Sequence, residues 1–372
     1  MCYELYYHVR MIGTRKIFFL ALIVVLCVVI LAMFDDSPDA NLGTTEVVTI
    51  EHDTKLGVSR APQTCLSPTF QGKWEQHTPE QISSGMELAA SLGVETLHVG
   101  FEWGQVESSK GEYDWSVTDR LIGVGGLDTS VVVNMLDAEL PNDIAHGSFG
   151  ENLFTQGFTH MLDAFLQRYQ DQVTHIWIGN EVNISLDEYG IGAAEYGAFY
   201  RSVVADIGDR YPGVQYGVIV TYAYEDEQII SDLIEEVKDA GMIGFTFYPQ
   251  FLGHAPTDAA GSFDVLDSYA QARGIQYAVV ETAWSTRGAL GSEDNQVEYI
   301  KSYLPLAASA DYPDRAFVCY WSMYDPSVPA WQKPFLVGSV SFLESLGLIK
   351  NDGVPKPGWD TFKGELGALY EP

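Results

Sequence analysis

Eight apolar runs of strand length, spread over residues 65–322 and separated for the most part by helical patterns, predict a single (β/α)8 (TIM) barrel. Two further observations support this. The runs are continuously apolar, as parallel strands buried on both faces must be. No Gly-x-Gly-x-x-Gly follows the first run, which disfavours the alternative of a doubly wound open sheet. The strands are expected near 65–70, 95–101, 129–135, 174–180, 214–221, 243–248, 275–281 and 316–322.

Taken in order, residues 1–16 form a short N-terminal stretch with Arg10, Arg15 and Lys16. Residues 17–34 carry no charge, and as a helix they would span roughly 27 Å at ~1.5 Å per residue, close to a bilayer core. Asp35, Asp36 and Asp39 follow. The basic residues before the run and the acids after it orient a transmembrane anchor with its N-terminus cytoplasmic and the remainder exported. A cleaved signal peptide is the competing reading, although no small-x-small site directly follows the run. Either way the domain is expected at the outer face of the cell membrane or secreted. Residues 35–62 read as an acidic tether and 63–372 as the barrel.

Within the barrel, Thr78-Pro79-Glu80-Gln81 opens a helix, with threonine as N-cap, proline at the first helical position and glutamine for a capping box. Phe158, Met161, Leu162, Phe165 and Leu166 recur at helical spacing, as do Ile229, Ile230, Leu233, Ile234 and Val237.

The 372 residues are 47% hydrophobic and 13% aromatic, enough for a sizeable core and for surfaces on which sugars stack. Asp and Glu number 51 against 20 Lys and Arg, a net charge of −31 that argues against a nucleic-acid partner, since phosphate binding needs clustered cations. Of the four cysteines, only Cys65 and Cys319 fall in the barrel, on strands one and eight, which adjoin in a closed barrel. We expect two buried free thiols, with a disulfide as the alternative. No Cys-x-x-Cys, His-x-His or His-Glu-x-x-His occurs, so neither metal nor cofactor is expected. Gly-x-Ser-x-Gly is absent too.

Two of the apolar runs end on a glutamate. His175-Ile176-Trp177-Ile178 leads to Glu181, and Tyr277-Ala278-Val279-Val280 leads to Glu281, at the ends of strands four and seven. A lone acid there is often an ion-pair partner at a loop start. Catalytic residues of such barrels also sit at the C-terminal strand ends. Two carboxylates brought together there suit glycoside hydrolysis, in which one donates a proton and the other attacks or activates water.

The Asn180-Glu181 pair with a second glutamate at Glu281 resembles the clan A glycoside hydrolases, barrels that retain anomeric configuration. Gly179-Asn180-Glu181-Val182-Asn183 and Glu281-Thr282-Ala283-Trp284 are most similar to the endo-β-1,4-galactanase family, as is Gly244-Phe245-Thr246-Phe247-Tyr248-Pro249. Phe101-Glu102-Trp103 with Val106-Glu107-Ser108, Gly111 and Tyr113-Asp114-Trp115 resembles a strand-two signature of the clan. The resemblance implies Glu181 as acid/base and Glu281 as nucleophile, with a β-linked carbohydrate as substrate, galactan-type chains first and mannan, xylan and β-glucan still open. It implies Asn180 on the sugar 2-hydroxyl and Tyr248 as a donor to the nucleophile.

Trp321, ending strand eight, is a candidate stacking platform, with Trp284 and Trp103 behind it. Many clan members support the nucleophile with an arginine late in strand two. The nearest basic residue here is His98, which either substitutes for that arginine or is a core histidine. Asp137 and Glu139 are cleft-lining candidates whose plainer reading is solvated loop acids. Rival functional readings are a non-catalytic carbohydrate-binding barrel and a surface structural protein, and both leave the paired glutamates unused.

Overall fold

In the computed structural model the described residues are 63–70, 77–136, 138–144, 148–222, 227–327 and 340–370. The anchor at 17–34 and the tether lie outside them, as does Asp137. Among the described residues no helix is long and apolar enough to cross a membrane.

Eight parallel strands close into a barrel in the order β1-β8-β7-β6-β5-β4-β3-β2. They are β1 Gln63–Ser67, β2 Thr96–Glu102, β3 Asp128–Asn134, β4 Val173–Ile178, β5 Gln215–Thr221, β6 Met242–Thr246, β7 Tyr277–Thr282 and β8 Arg315–Trp321. Each falls on a predicted run. β1 begins two residues early and ends three early, and β4 and β6 end two residues early, β4 because Gly179 turns the chain out of the ladder at φ +92°. Helix Pro79–Ala90 begins as predicted: Thr78 Oγ1 accepts from Gln81 N–H, and Gln81 Oε1 accepts from Thr78 N–H. The two periodic stripes become the buried faces of helices Asn152–Tyr169 and Glu227–Val237.

Alternation along the strands separates two cores. Leu97, Val99, Val131, Val133, Ile176 and Ile178 face the helices. Cys65, Trp177, Ile219, Met242, Ala278, Val280, Phe317 and Cys319 fill the barrel interior. The Trp177 ring occupies much of that space and needs Gly217 on β5, where a Cβ would lie 2.6 Å from its Cζ3. Beside it are polar groups: Trp177 Nε1 donates to Ser130 Oγ at 2.7 Å, and His98 Nδ1 lies 3.0 Å from the same oxygen.

Cys65 and Cys319 are joined by a disulfide, which corrects the expectation of free thiols. The β1–β8 register sets the two directly opposite one another, Cα atoms 4.1 Å apart, both facing the interior. The bridge staples the barrel at its closing seam, across a sequence separation of 254 residues.

Candidate active site

After β4, Gly179 donates its N–H to the Val133 carbonyl and turns the chain. Glu181 follows at φ 46°, ψ 45°, a left-handed conformation that costs a non-glycine residue roughly 1–3 kcal/mol and persists only where neighbours over-determine it. The neighbour here is Asn183, fully buried. Its Oδ1 accepts from Thr221 N–H at 2.9 Å and its Nδ2 donates to the Thr221 carbonyl at 3.2 Å. This pair of hydrogen bonds ties the start of helix Val182–Tyr189 to the end of β5 and carries Glu181 with it.

Glu281 is aimed by a bulge. Ala278 and Val280 face the interior, while Tyr277 and Val279 face the helices. Strict alternation would turn Glu281 outward. Instead the ladder slips on both sides of it: Phe245 pairs with Val279 but Thr246 with Glu281, and Val318 pairs with Val279 but Tyr320 with Thr282. Thr282 then faces the helices, its hydroxyl 2.5 Å from that of Tyr299. The extra residue resets the alternation and frees Glu281 to address the mouth of the barrel.

Tyr248, just past β6, donates from its hydroxyl to Glu281 Oε2 at 2.9 Å. Burial first, then the charges of Glu281 and Glu181, hold the Tyr248 phenol well above its ordinary range, so it remains a donor. Burial and then the Glu181 charge push Glu281 up to about 8, while the Tyr248 hydrogen bond pulls the other way. Burial also raises Glu181, against the Thr221 and Thr246 hydroxyls, which lower it. Two partly buried carboxyls that feel one another do not both ionise at neutral pH, so the pair retains a proton and titrates as a unit. Tyr248 favours the charge on Glu281, and the Thr221 and Thr246 hydroxyls favour it on Glu181, so the proton belongs to the pair. Asn180, beside Glu181, has a buried Oδ1 with no hydrogen-bond partner.

Trp321 ends β8 partly exposed, edge-on to Tyr248 with ring centroids 6.5 Å apart. Phe342 and Phe251 pack at 4.0 Å beside the same tyrosine, and Phe251 is 53% exposed. Trp321, Tyr248, Phe342 and Phe251 thus form an aromatic edge running from Glu281 to solvent.

The other candidates take different places. Trp103 is fully buried against Phe154 and Phe158 and donates to the Glu107 carboxylate at 2.7 Å. Glu107 also accepts from Gly111 N–H, so the strand-two signature ties down a small hairpin and offers no ring to a sugar. Trp284 is fully buried too, packed on Tyr299, its Nε1 donating to the Leu290 carbonyl. His98 sits in the interior beside Ser130, below Trp177, where burial and then the His175 charge lower it to about 3. It is a neutral core histidine, and the charge acting on Glu281 is that of Glu181. Glu139 is exposed, its backbone N–H donating to Glu102. Sequence reasoning passed over Asn183, Thr221 and Thr246. The two threonines carry the signal that marked the glutamates, a polar residue closing a buried strand. Among the described residues no group of His, Cys, Asp and Glu could hold a metal ion.

No family model matches the chain, and no curated protein matches it in sequence. Solved structures share its fold. An exo-β-1,4-mannosidase, Op5Man5 from Opitutaceae bacterium strain TAV5, is 18% identical with a TM-score of 0.62, over 82% of this chain and 59% of its own. A GH5_18 variant from Streptomyces cattleya in complex with Manβ1-4GlcNAc is 14% identical with a TM-score of 0.64, over 84% and 82%. A family 39 glycoside hydrolase from Bacteroides cellulosilyticus WH2 is 14% identical with a TM-score of 0.58, over 84% and 64%. At these identities the likeness establishes the fold.

Proposed function

We propose that residues 63–372 are a retaining glycoside hydrolase acting on a β-linked glycan. The observation that carries this is the pair of partly buried, mutually interacting carboxyls at the ends of β4 and β7, with the Tyr248 hydroxyl on one of them. In the first step Glu281 attacks the anomeric carbon as the bond to the glycosidic oxygen breaks. The departing electron pair stays on that oxygen, which takes the Glu181 proton and leaves as an alcohol. In the second step water attacks the anomeric carbon, gives a proton to Glu181, and the bond to Glu281 breaks with its electron pair returning to the carboxylate. Asn180 Oδ1, buried without a partner, is placed to accept from the sugar 2-hydroxyl. Trp321 offers its face to the ring at the cleaved bond.

That the structural neighbours are glycoside hydrolases, from GH5 of clan A and from family 39, supports this reading. For the substrate two leads diverge. The motifs around Glu181, Tyr248 and Glu281 point to galactan-type β-1,4 chains and endo action. The named neighbours point to β-mannosides and exo action. The aromatic edge from Trp321 to Phe251 serves either. We place the domain outside the cell, held through residues 17–34 or released if that segment is cleaved. The test is hydrolysis of β-galactan, β-mannan, xylan, β-glucan and Manβ1-4GlcNAc, with the product anomer followed by NMR. A first-formed product of retained configuration supports the proposal. Inverted product, or no turnover on any β-linked substrate, overturns it.

A further inference from the structure

Three buried side-chain atoms without a hydrogen-bond partner lie at successive strand ends: Asn180 Oδ1 after β4, Thr221 Oγ1 on β5 and Thr246 Oγ1 on β6. Buried polar groups are costly when unpaired, and each such group calls for a reason. The 2-hydroxyl accounts for Asn180. The two threonines have no sugar contact assigned to them.

The register explains where they stand. Thr221 pairs with Thr246, and Thr246 with Glu281, so the hydroxyls form a ledge that ends at the nucleophile. Their backbones are already committed, Thr221 to the Asn183 side chain and the Thr246 carbonyl to Tyr222 N–H. Only the hydroxyls are left, and both act on the Glu181 carboxyl, lowering it against the rise that burial causes.

We propose that Thr221 and Thr246 are positioning residues for Glu181, their hydroxyls reserved for its carboxylate once its proton has gone to the leaving oxygen. The role rests on the glycosidase reading. The residue type fits it. A hydroxyl both donates and accepts, so it can face a protonated carboxyl in the resting site and donate to the ionised one by turning its hydrogen alone. A lysine or arginine here would keep Glu181 ionised and useless as an acid. A valine would leave the newly formed carboxylate buried without donors. The β-branched side chain on a strand also restricts χ1, so little freedom is lost in holding the geometry.

The experiment compares Thr221→Val, Thr246→Val and the double variant with Thr221→Ser and Thr246→Ser, which keep the hydroxyl. Glu181 is titrated by NMR on protein carrying 13C-labelled glutamate, in a Glu281→Gln background that removes the coupled partner, with the resonance assigned by Glu181→Gln. We expect its pKa to rise by about one unit for each hydroxyl lost, and the serine variants to restore it. In the wild-type background, the valine variants should lose about tenfold more kcat on aryl glycosides with poor leaving groups than on those with good ones. An unmoved Glu181 titration, or equal losses for all leaving groups, overturns the proposal. The titration needs no turnover. A shifted Glu181 in a protein that cleaves no glycoside would keep the positioning role and sink the glycosidase reading alone.

Discussion

The Tyr248 hydroxyl donates to Glu281 Oε2 at 2.9 Å, from a ring that stands edge-on to Trp321. One side chain thus joins the carboxylate that would attack to the tryptophan that would seat the sugar. Tyr248→Phe removes the donor and little else. A hydrogen bond to a charged group is worth ~1.5–3 kcal/mol, so kcat should fall roughly 10- to 100-fold. The acid limb of the kcat/KM profile should move to higher pH, because Glu281 loses the group that favours its charge. An unchanged acid limb would count against Tyr248 as its donor.

The two carboxylates should separate by chemistry. Glu281→Ala should abolish turnover, and azide should partly restore it with a product of inverted configuration. Glu181→Gln should retain activity on substrates with good leaving groups, which need little proton donation. Full activity in either variant is the outcome that removes the residue from the mechanism.

Stability at alkaline pH should improve when the nucleophile is neutralised. Glu281 is raised from 4.5 to about 8, by burial and then by the Glu181 charge. The folded chain therefore holds this proton more tightly than the unfolded chain. That contribution is fully present below pH 4.5 and lost as pH rises through about 8. Glu281→Gln should unfold a few degrees above wild type near pH ~9, with a smaller gain near pH ~5. Thermal scans at both pH values test this, and a gain independent of pH would contradict it.

His98 should act on the acid side with the opposite sign. It is lowered from 6.5 to about 3 by burial and then by the His175 charge. The folded chain resists protonation there, so its contribution is present above pH 6.5 and lost as pH falls towards 3. His98→Asn should flatten the pH dependence of Tm between about 6.5 and 4 while leaving kcat near wild type. A large loss of kcat without a change in that slope would return His98 to the site.

The tryptophans should divide by exposure. Trp103→Ala, at a fully buried ring, should cost ~3–5 kcal/mol of stability and leave activity per folded molecule close to normal. Trp321→Ala, at a partly exposed ring, should do the reverse, raising KM and lowering kcat with a small change in Tm. Matching losses of stability and activity in Trp321→Ala would mark it as core.

Most of the architecture was legible because a parallel strand buried on both faces must be apolar throughout, and so announces itself locally. The eight runs became the eight strands. The same logic exposed Glu181 and Glu281, since a charge closing a buried strand is anomalous without any knowledge of its neighbours. Tyr248 was legible through its motif. The roles of Trp103 and Trp284 were not, because a ring that stacks on a sugar and one that packs on a phenylalanine look alike in a sequence.

What the tertiary structure decided was register, a property of pairs of strands that neither strand carries alone. Register set Cys65 opposite Cys319 and made a disulfide of two expected thiols. It placed a bulge at Glu281, without which alternation from the inward-facing Val280 would have turned the carboxylate towards the helices. It lined up Thr221 and Thr246 with Glu281. The sequence by itself determined which residues lie at or near the strand ends. Which way those residues face depends on the slip of each ladder against the next, and that is settled only when the barrel closes.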